Sequence, residues 1–231
     1  YYCDWSSDVC SSDLWQLAGT YSLGGAQIAL KNQAVSIGHR VVFMGSGPLL
    51  YLVASQYVKA GAEVAAVLDT SALSLRLKAL PKLWARPGVL FTGIKLLAQL
   101  YRAKVAVHLG VKPLQVMGDA ANGVSGVRFT SGNGQTVTVQ ADAVALGYHL
   151  RPETQLGDLA GCRMAFDDAS SQWWLATDDA GRTSVKGVYA AGDGAKIRGA
   201  DAAEHAGRLV ALALLEDLQH PVDAGDRKSV V

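Results

Sequence analysis

The sequence predicts an α/β fold: a parallel sheet interleaved with helices, an antiparallel β-meander beside it, and part of a second α/β unit towards the C-terminus. Three observations carry this expectation. An apolar run that breaks at glycine, a helical pattern and a second apolar run follow one another within residues 40–69. Short β-type runs separated by Asn, Asp and Gly turns fill residues 114–139. Near the C-terminus, the small residues Ala190, Ala191 and Gly192 separate a last apolar run from a long helical pattern.

Taken in order, Val41-Val42-Phe43-Met44 before Gly45 reads as a fully buried parallel strand. Pro48 suits a first helical turn, where a missing N–H costs nothing. Leu49, Leu52, Val53, Tyr57 and Val58 then recur at helical spacing up to a stop at Gly61. Residues 63–69 return to strand and complete a βαβ unit. Two helices are predicted next, one carrying Leu73, Leu77 and Leu80 before Pro81, the other Leu90, Ile94, Leu97 and Tyr101 after Gly88. A third parallel strand follows at 105–109, then meander strands at 114–117, 124–129 and 137–139, and another buried strand at 143–147. A last strand at 187–191 and a helix over 200–218 close the pattern.

With 231 residues, half of them hydrophobic, and 21 basic side chains against 20 acidic ones, the chain fits one or two globular domains. No charge imbalance invites nucleic acid. The most apolar runs fall short of the ~20 residues that span a bilayer, and no secretion signal is evident, so the expected location is the cytoplasm. Cys3, Cys10 and Cys162 form no cluster at metal-ligand spacing, and no metal site is expected. Residues 1–14 and 226–231 resemble translated adapter read-through and are expected to be non-native. The alternative for the former is a native tail with a Cys3–Cys10 disulfide.

Gly45-Ser46-Gly47-Pro48-Leu49-Leu50 holds the first two glycines of G-x-G-x-x-G between a strand and a helix. The first permits the tight turn. The second lets the backbone approach a pyrophosphate, whose charge meets free N–H groups at the positive helix end. This context makes the unit Rossmann-like. Leu50 stands in the third place, where a side chain is expected to hinder close packing of helix on strand. Asp69 ends the next strand, where a carboxylate can accept from a ribose 2′-hydroxyl and repel a 2′-phosphate, favouring NAD over NADP. The alternative is that Asp69 caps the following helix.

Thr183-Ser184-Val185-Lys186-Gly187-Val188-Tyr189-Ala190-Ala191-Gly192-Asp193-Gly194 is the most specific stretch. It resembles the closing motif of flavoproteins with two dinucleotide-binding domains, in the pyridine nucleotide-disulphide oxidoreductase superfamily. The resemblance implies that Asp193 holds a ribityl hydroxyl of FAD, between Gly192 and Gly194. The alternative is a plain strand-to-helix turn. Similarity extends, through 21–27, the glycine loop, Ala145-Leu146-Gly147-Tyr148 and Gly192-Asp193-Gly194 with residues 199–203, to the FAD subunits of opine (octopine or nopaline) oxidase, hydrogen cyanide synthase and hydroxyproline dehydrogenase.

That likeness implies an FAD-dependent oxidoreductase acting on an amino acid or an opine-like secondary amine, alongside a second flavoprotein subunit in a hetero-oligomer. It divides the chain into a return segment of the FAD domain (15–38), an NAD(P)-type dinucleotide-binding domain (39–147) and the C-terminal part of the FAD domain (148–225). The cofactor-binding set expected is Gly45, Ser46, Gly47, Pro48, Asp69, Gly147, Gly192, Asp193 and Gly194; no catalytic residue is assigned. The family's opening FAD fingerprint should precede Gly24 and an iron–sulphur region should follow, so the chain is expected to be a fragment that retains negligible flavin alone. Alternatives are an NADH-dependent flavin reductase of the same fold and a non-catalytic assembly module holding an adenine nucleotide such as ATP or ADP. His149, Arg151 and His205 read as solvated groups, Trp173-Trp174 with Phe166 as the core of a small sheet, and Cys162 as structural.

Overall fold

A computed structural model describes residues 17–72, 87–148, 150–168 and 170–221. Two compact units divide them at Leu150. The predicted helix with Leu73, Leu77 and Leu80, His149, and both expected non-native ends lie outside the described residues.

The first unit is built on a five-stranded parallel sheet in the order β1-β8-β2-β3-β4. Its strands are β1 (Thr20–Ser22), β2 (Arg40–Gly45), β3 (Glu63–Asp69), β4 (Ala106–Leu109) and β8 (Ala143–Gly147). The helices are α1 (Leu23–Gln33), α2 (Pro48–Lys59) and α3 (Pro87–Arg102). A separate antiparallel sheet holds β5 (Lys112–Asp119), β6 (Gly123–Thr130) and β7 (Thr136–Gln140).

Alternation along the buried strands explains both layers. Val41 and Phe43 of β2 and Val67 of β3 join one core with Leu23, Leu50, Val53, Tyr57 and Leu100 from the three helices. Val42, Met44 and Leu68 point the other way, into a second core with Val116, Val127 and Phe129 of the meander. A strand buried on both faces needs a continuous apolar run, which is why residues 41–44 carry no polar side chain. Each fully buried large side chain contributes about 1.5–3 kcal/mol. α1 is fixed at its start by Ser22, whose Oγ accepts from the Gly25 N–H at 3.0 Å. It is tied to α2 by Tyr57, whose buried hydroxyl donates to the Ala26 carbonyl at 2.8 Å.

The second unit comprises α4 (Gln155–Leu159), the hairpin β9 (Met164–Asp167) and β10 (Gln172–Leu175), a 3-10 turn at Gly192–Gly194, and α5 (Ala200–Asp217). Two expectations are corrected here. Residues 187–191 form no strand; Tyr189 makes a single bridge to Arg182. The segment folds back through the turn at residues 185–188, so its backbone bonds go to Gly181 and Thr183 instead of a sheet neighbour. Phe166 and Trp173 do stack across the hairpin, with ring centroids 5.3 Å apart, but they are 38% and 58% exposed and build no core. A two-stranded ribbon has two faces and here buries neither fully. No helix among the described residues is long and apolar enough to cross a membrane.

Candidate functional site

β2, β3 and β8 end level with one another: Gly45 pairs with Asp69 on one side and with Gly147 on the other. The chain leaves β2 towards β3, while β8 lies on the opposite side, so a crevice opens where the strand order reverses. That is the usual ligand position in such sheets. Its floor is backbone. A Cβ on Gly45 would lie 1.8 Å from the Gly147 carbonyl oxygen, and one on Gly147 would lie 2.6 Å from Leu23. The Ser46 N–H donates to the Gly147 carbonyl at 2.9 Å, and the Ser46 hydroxyl donates to the Tyr148 carbonyl at 2.8 Å.

Gly47 caps α2 with φ +86°, and nothing lies within 4 Å of where its Cβ would stand. Pro48 fills the first helical position, and no acidic residue occupies the first turn. Unpaired N–H groups and the positive end of a 12-residue helix therefore face open space, an arrangement that suits an anion. Leu50 is fully buried in the helix-side core, so the space a third glycine would leave is packed.

Asp69 is 1% exposed. Its Oδ1 accepts from the Ser71 N–H at 2.7 Å and its Oδ2 from the Tyr51 hydroxyl at 2.5 Å. The Ser71 bond is a local turn of the kind Asp favours after a strand. Tyr51 is a residue that sequence reasoning missed. Its signal was available in retrospect: the first turn of the helix in a βαβ unit runs beside the end of the next strand, and a phenol there is within reach of that strand's terminal carboxylate.

In the second unit, Gly192 takes φ +63° and its carbonyl accepts from the N–H groups of Ala195 and Lys196, turning the chain sharply. Asp193 is exposed on this turn. A cleft of about 350 Å³ is lined by Gly181, Ala190, Gly192, Lys196, Arg198 and His205 among others. Behind it, Arg182 grips Asp217 with two bonds, Nε to Oδ2 at 2.8 Å and Nη2 to Oδ1 at 3.0 Å, and Tyr189 donates to the same carboxylate at 2.6 Å. These donors, the guanidinium first, hold the Asp217 carboxyl at about 2, well below the usual carboxylate value, and hold the Arg182 guanidinium more firmly protonated still. The buried Cys162 Sγ lies 3.4 Å from Thr183 Oγ1. Among the described residues, no group of three His, Cys, Asp or Glu side chains could hold a metal ion.

The model of one family, described as pyridine nucleotide-disulphide oxidoreductase, matches residues 25–207, across both units. The chain belongs to this family. Pyridine nucleotide-disulphide oxidoreductases are FAD-binding, often with NAD(P) as well. Among curated members, the chain is 41% identical over 208 residues to an opine oxidase subunit of Agrobacterium tumefaciens (strain Ach5), a match covering 89% of this chain and 40% of that protein. It is 33% identical over 211 residues to hydrogen cyanide synthase subunit HcnB of Pseudomonas protegens, covering 87% and 44%. The chain spans 38% to 47% of the length of the curated relatives it matches. A solved FAD-dependent pyridine nucleotide-disulphide oxidoreductase from Desulfovibrio vulgaris shares the fold, with a TM-score of 0.56 at 22% identity over 87% of this chain and 49% of that one.

Proposed function

We propose that the chain is part of an FAD subunit that oxidises an amino acid or an opine-like secondary amine, in complex with a second flavoprotein subunit. The observation that carries this reading is the 41% identity to an opine oxidase subunit over 89% of the chain, a span that takes in the Gly192-Asp193-Gly194 turn. The flavin would supply the oxidation, taking a hydride equivalent from the carbon bearing the nitrogen. This chain's residues would bind and orient it. In that reading Gly192 and Gly194 leave the backbone bare against the cofactor and Asp193 accepts from a ribityl hydroxyl. Asp193 suits the role because its carboxylate is exposed.

The glycine loop adds a second site. Gly45, Ser46, Gly47 and Pro48, with Gly147 on the facing strand and Asp69 beside them, are proposed to hold an adenine dinucleotide at the start of α2. The open side of Gly47 favours this, and with it the reading in which NADH reduces the flavin. An adenine nucleotide held for assembly alone would use the same loop.

The test uses the full-length subunit that contains this chain, co-expressed with its neighbouring flavoprotein gene. Reduction of an artificial acceptor with octopine, nopaline or hydroxyproline supports the first reading, and reduction with NADH alone supports the second. Asp193→Ala is expected to lower bound flavin at least tenfold, in line with loss of a charge-assisted hydrogen bond. Full flavin occupancy in that variant would remove Asp193 from the site.

A further inference from the structure

We infer that Tyr51 is a built-in stand-in for a ribose hydroxyl, so that a dinucleotide at the glycine loop must displace its phenol from Asp69. The inference rests on the proposal that this loop takes an adenine dinucleotide. A ribose hydroxyl binds a strand-end carboxylate by donating an O–H···O bond to it. Tyr51 makes a bond of that chemical kind, at 2.5 Å to Oδ2. The other oxygen accepts from the Ser71 N–H, and Asp69 is 1% exposed. Spare acceptor capacity on a carboxylate buried so completely does not reach the crevice. Tyr51 is half-buried and stands on the first turn of α2, on the same helix end as Gly47. A ligand whose phosphates sit at Gly47 therefore meets the phenol, not the carboxylate, where its ribose would be read.

The consequence concerns selectivity. With the phenol in place, exchanging a water-solvated ribose hydroxyl for the Tyr51 bond yields no net gain, and the loop would bind phosphates without favouring a free 2′-hydroxyl. Calorimetric titration of the 231-residue chain with NADH, with its analogue lacking the adenosine 2′-hydroxyl, and with ADP tests this. The wild type is expected to bind NADH and the 2′-deoxy analogue within about twofold of each other. Tyr51→Phe is expected to bind NADH about tenfold tighter than the wild type, with the deoxy analogue unchanged, because the carboxylate would then need the ribose donor. Tyr51→Leu, which also removes the donor, should behave alike and covers the case in which one variant fails to fold. Equal NADH affinity in the wild type and both variants, or an equal gain for the deoxy analogue, overturns the role of Tyr51. A wild type that strongly prefers NADH over the deoxy analogue overturns it without any variant. Binding of neither NADH nor ADP to any of these proteins overturns the dinucleotide reading itself.

Discussion

Gly45 and Gly47 belong to one loop, yet they are glycine for different reasons. A side chain on Gly45 collides with a neighbouring strand's backbone, which cannot swing away. A side chain on Gly47 meets nothing, and costs only the strain of a left-handed φ, about 1–2 kcal/mol. Gly45→Ala is therefore expected to lose more than about 3 kcal/mol of stability in urea unfolding, enough to abolish a marginal fold. Gly47→Ala should fold but bind NADH or ADP less well, because its methyl group fills the space a phosphate would use. Equal stability of the two variants would contradict the contact at Gly45. The sequence pattern identified both glycines but could not rank them, because the collision partner, Gly147, arrives from the far end of the unit. Tyr51 was invisible for a related reason: a lone aromatic in a helical pattern reads as core until the strand end opposite is known.

At the scale of elements, α2 shows what replaces the third glycine. Leu50 is among the largest fully buried side chains, so Leu50→Ala is expected to cost about 2–5 kcal/mol, measured by chemical denaturation. Restoring the motif as Leu50→Gly should cost about 1 kcal/mol more, from helix propensity. The expected obstruction of close packing thus becomes a core contact. The end of α5 makes a different point. Asp217 titrates at about 2 in the folded protein, below its usual value near 3.8. Its contribution to stability is complete above the usual value and disappears as pH falls through about 2. Thermal melts of the second unit are expected to lose stability between about pH 4 and pH 2, and Asp217→Asn should show less of that loss. Identical pH profiles would deny the Arg182 contact its role.

Legibility at this scale followed locality. β2, α2 and β3 were readable to the residue at several ends because an apolar run, Pro48 and Gly61 punctuate them. β1 and α1 were not. Thr20–Ser22 is a three-residue strand that exists only by pairing with Val144 to Leu146, and α1 shows no clear apolar stripe. Residues 187–191 failed in the opposite direction, as an apolar run reads as strand whether or not a partner lies beside it.

Across the molecule, the family match crosses the division between the two compact units. A ligand of the glycine loop contacts residues of the first unit, whereas Asp217 belongs to the second. Hydrogen exchange with and without ADP is expected to protect α2 and the ends of β2 and β8, leaving α5 unchanged. Protection spread evenly through both units would mean that they open together. Acid weakens both, since Asp119, held by Asn122 and two backbone N–H groups, also has its carboxyl lowered.

The crevice floor at Gly45 and Gly147 offers an engineer no handle. Two peptide units touch there with no side chain between them, so no substitution can recolour that surface without breaking it. Redesign of ligand preference is confined to the rim, where Tyr51, Ser71 and Tyr148 can vary while the sheet beneath stays as it is.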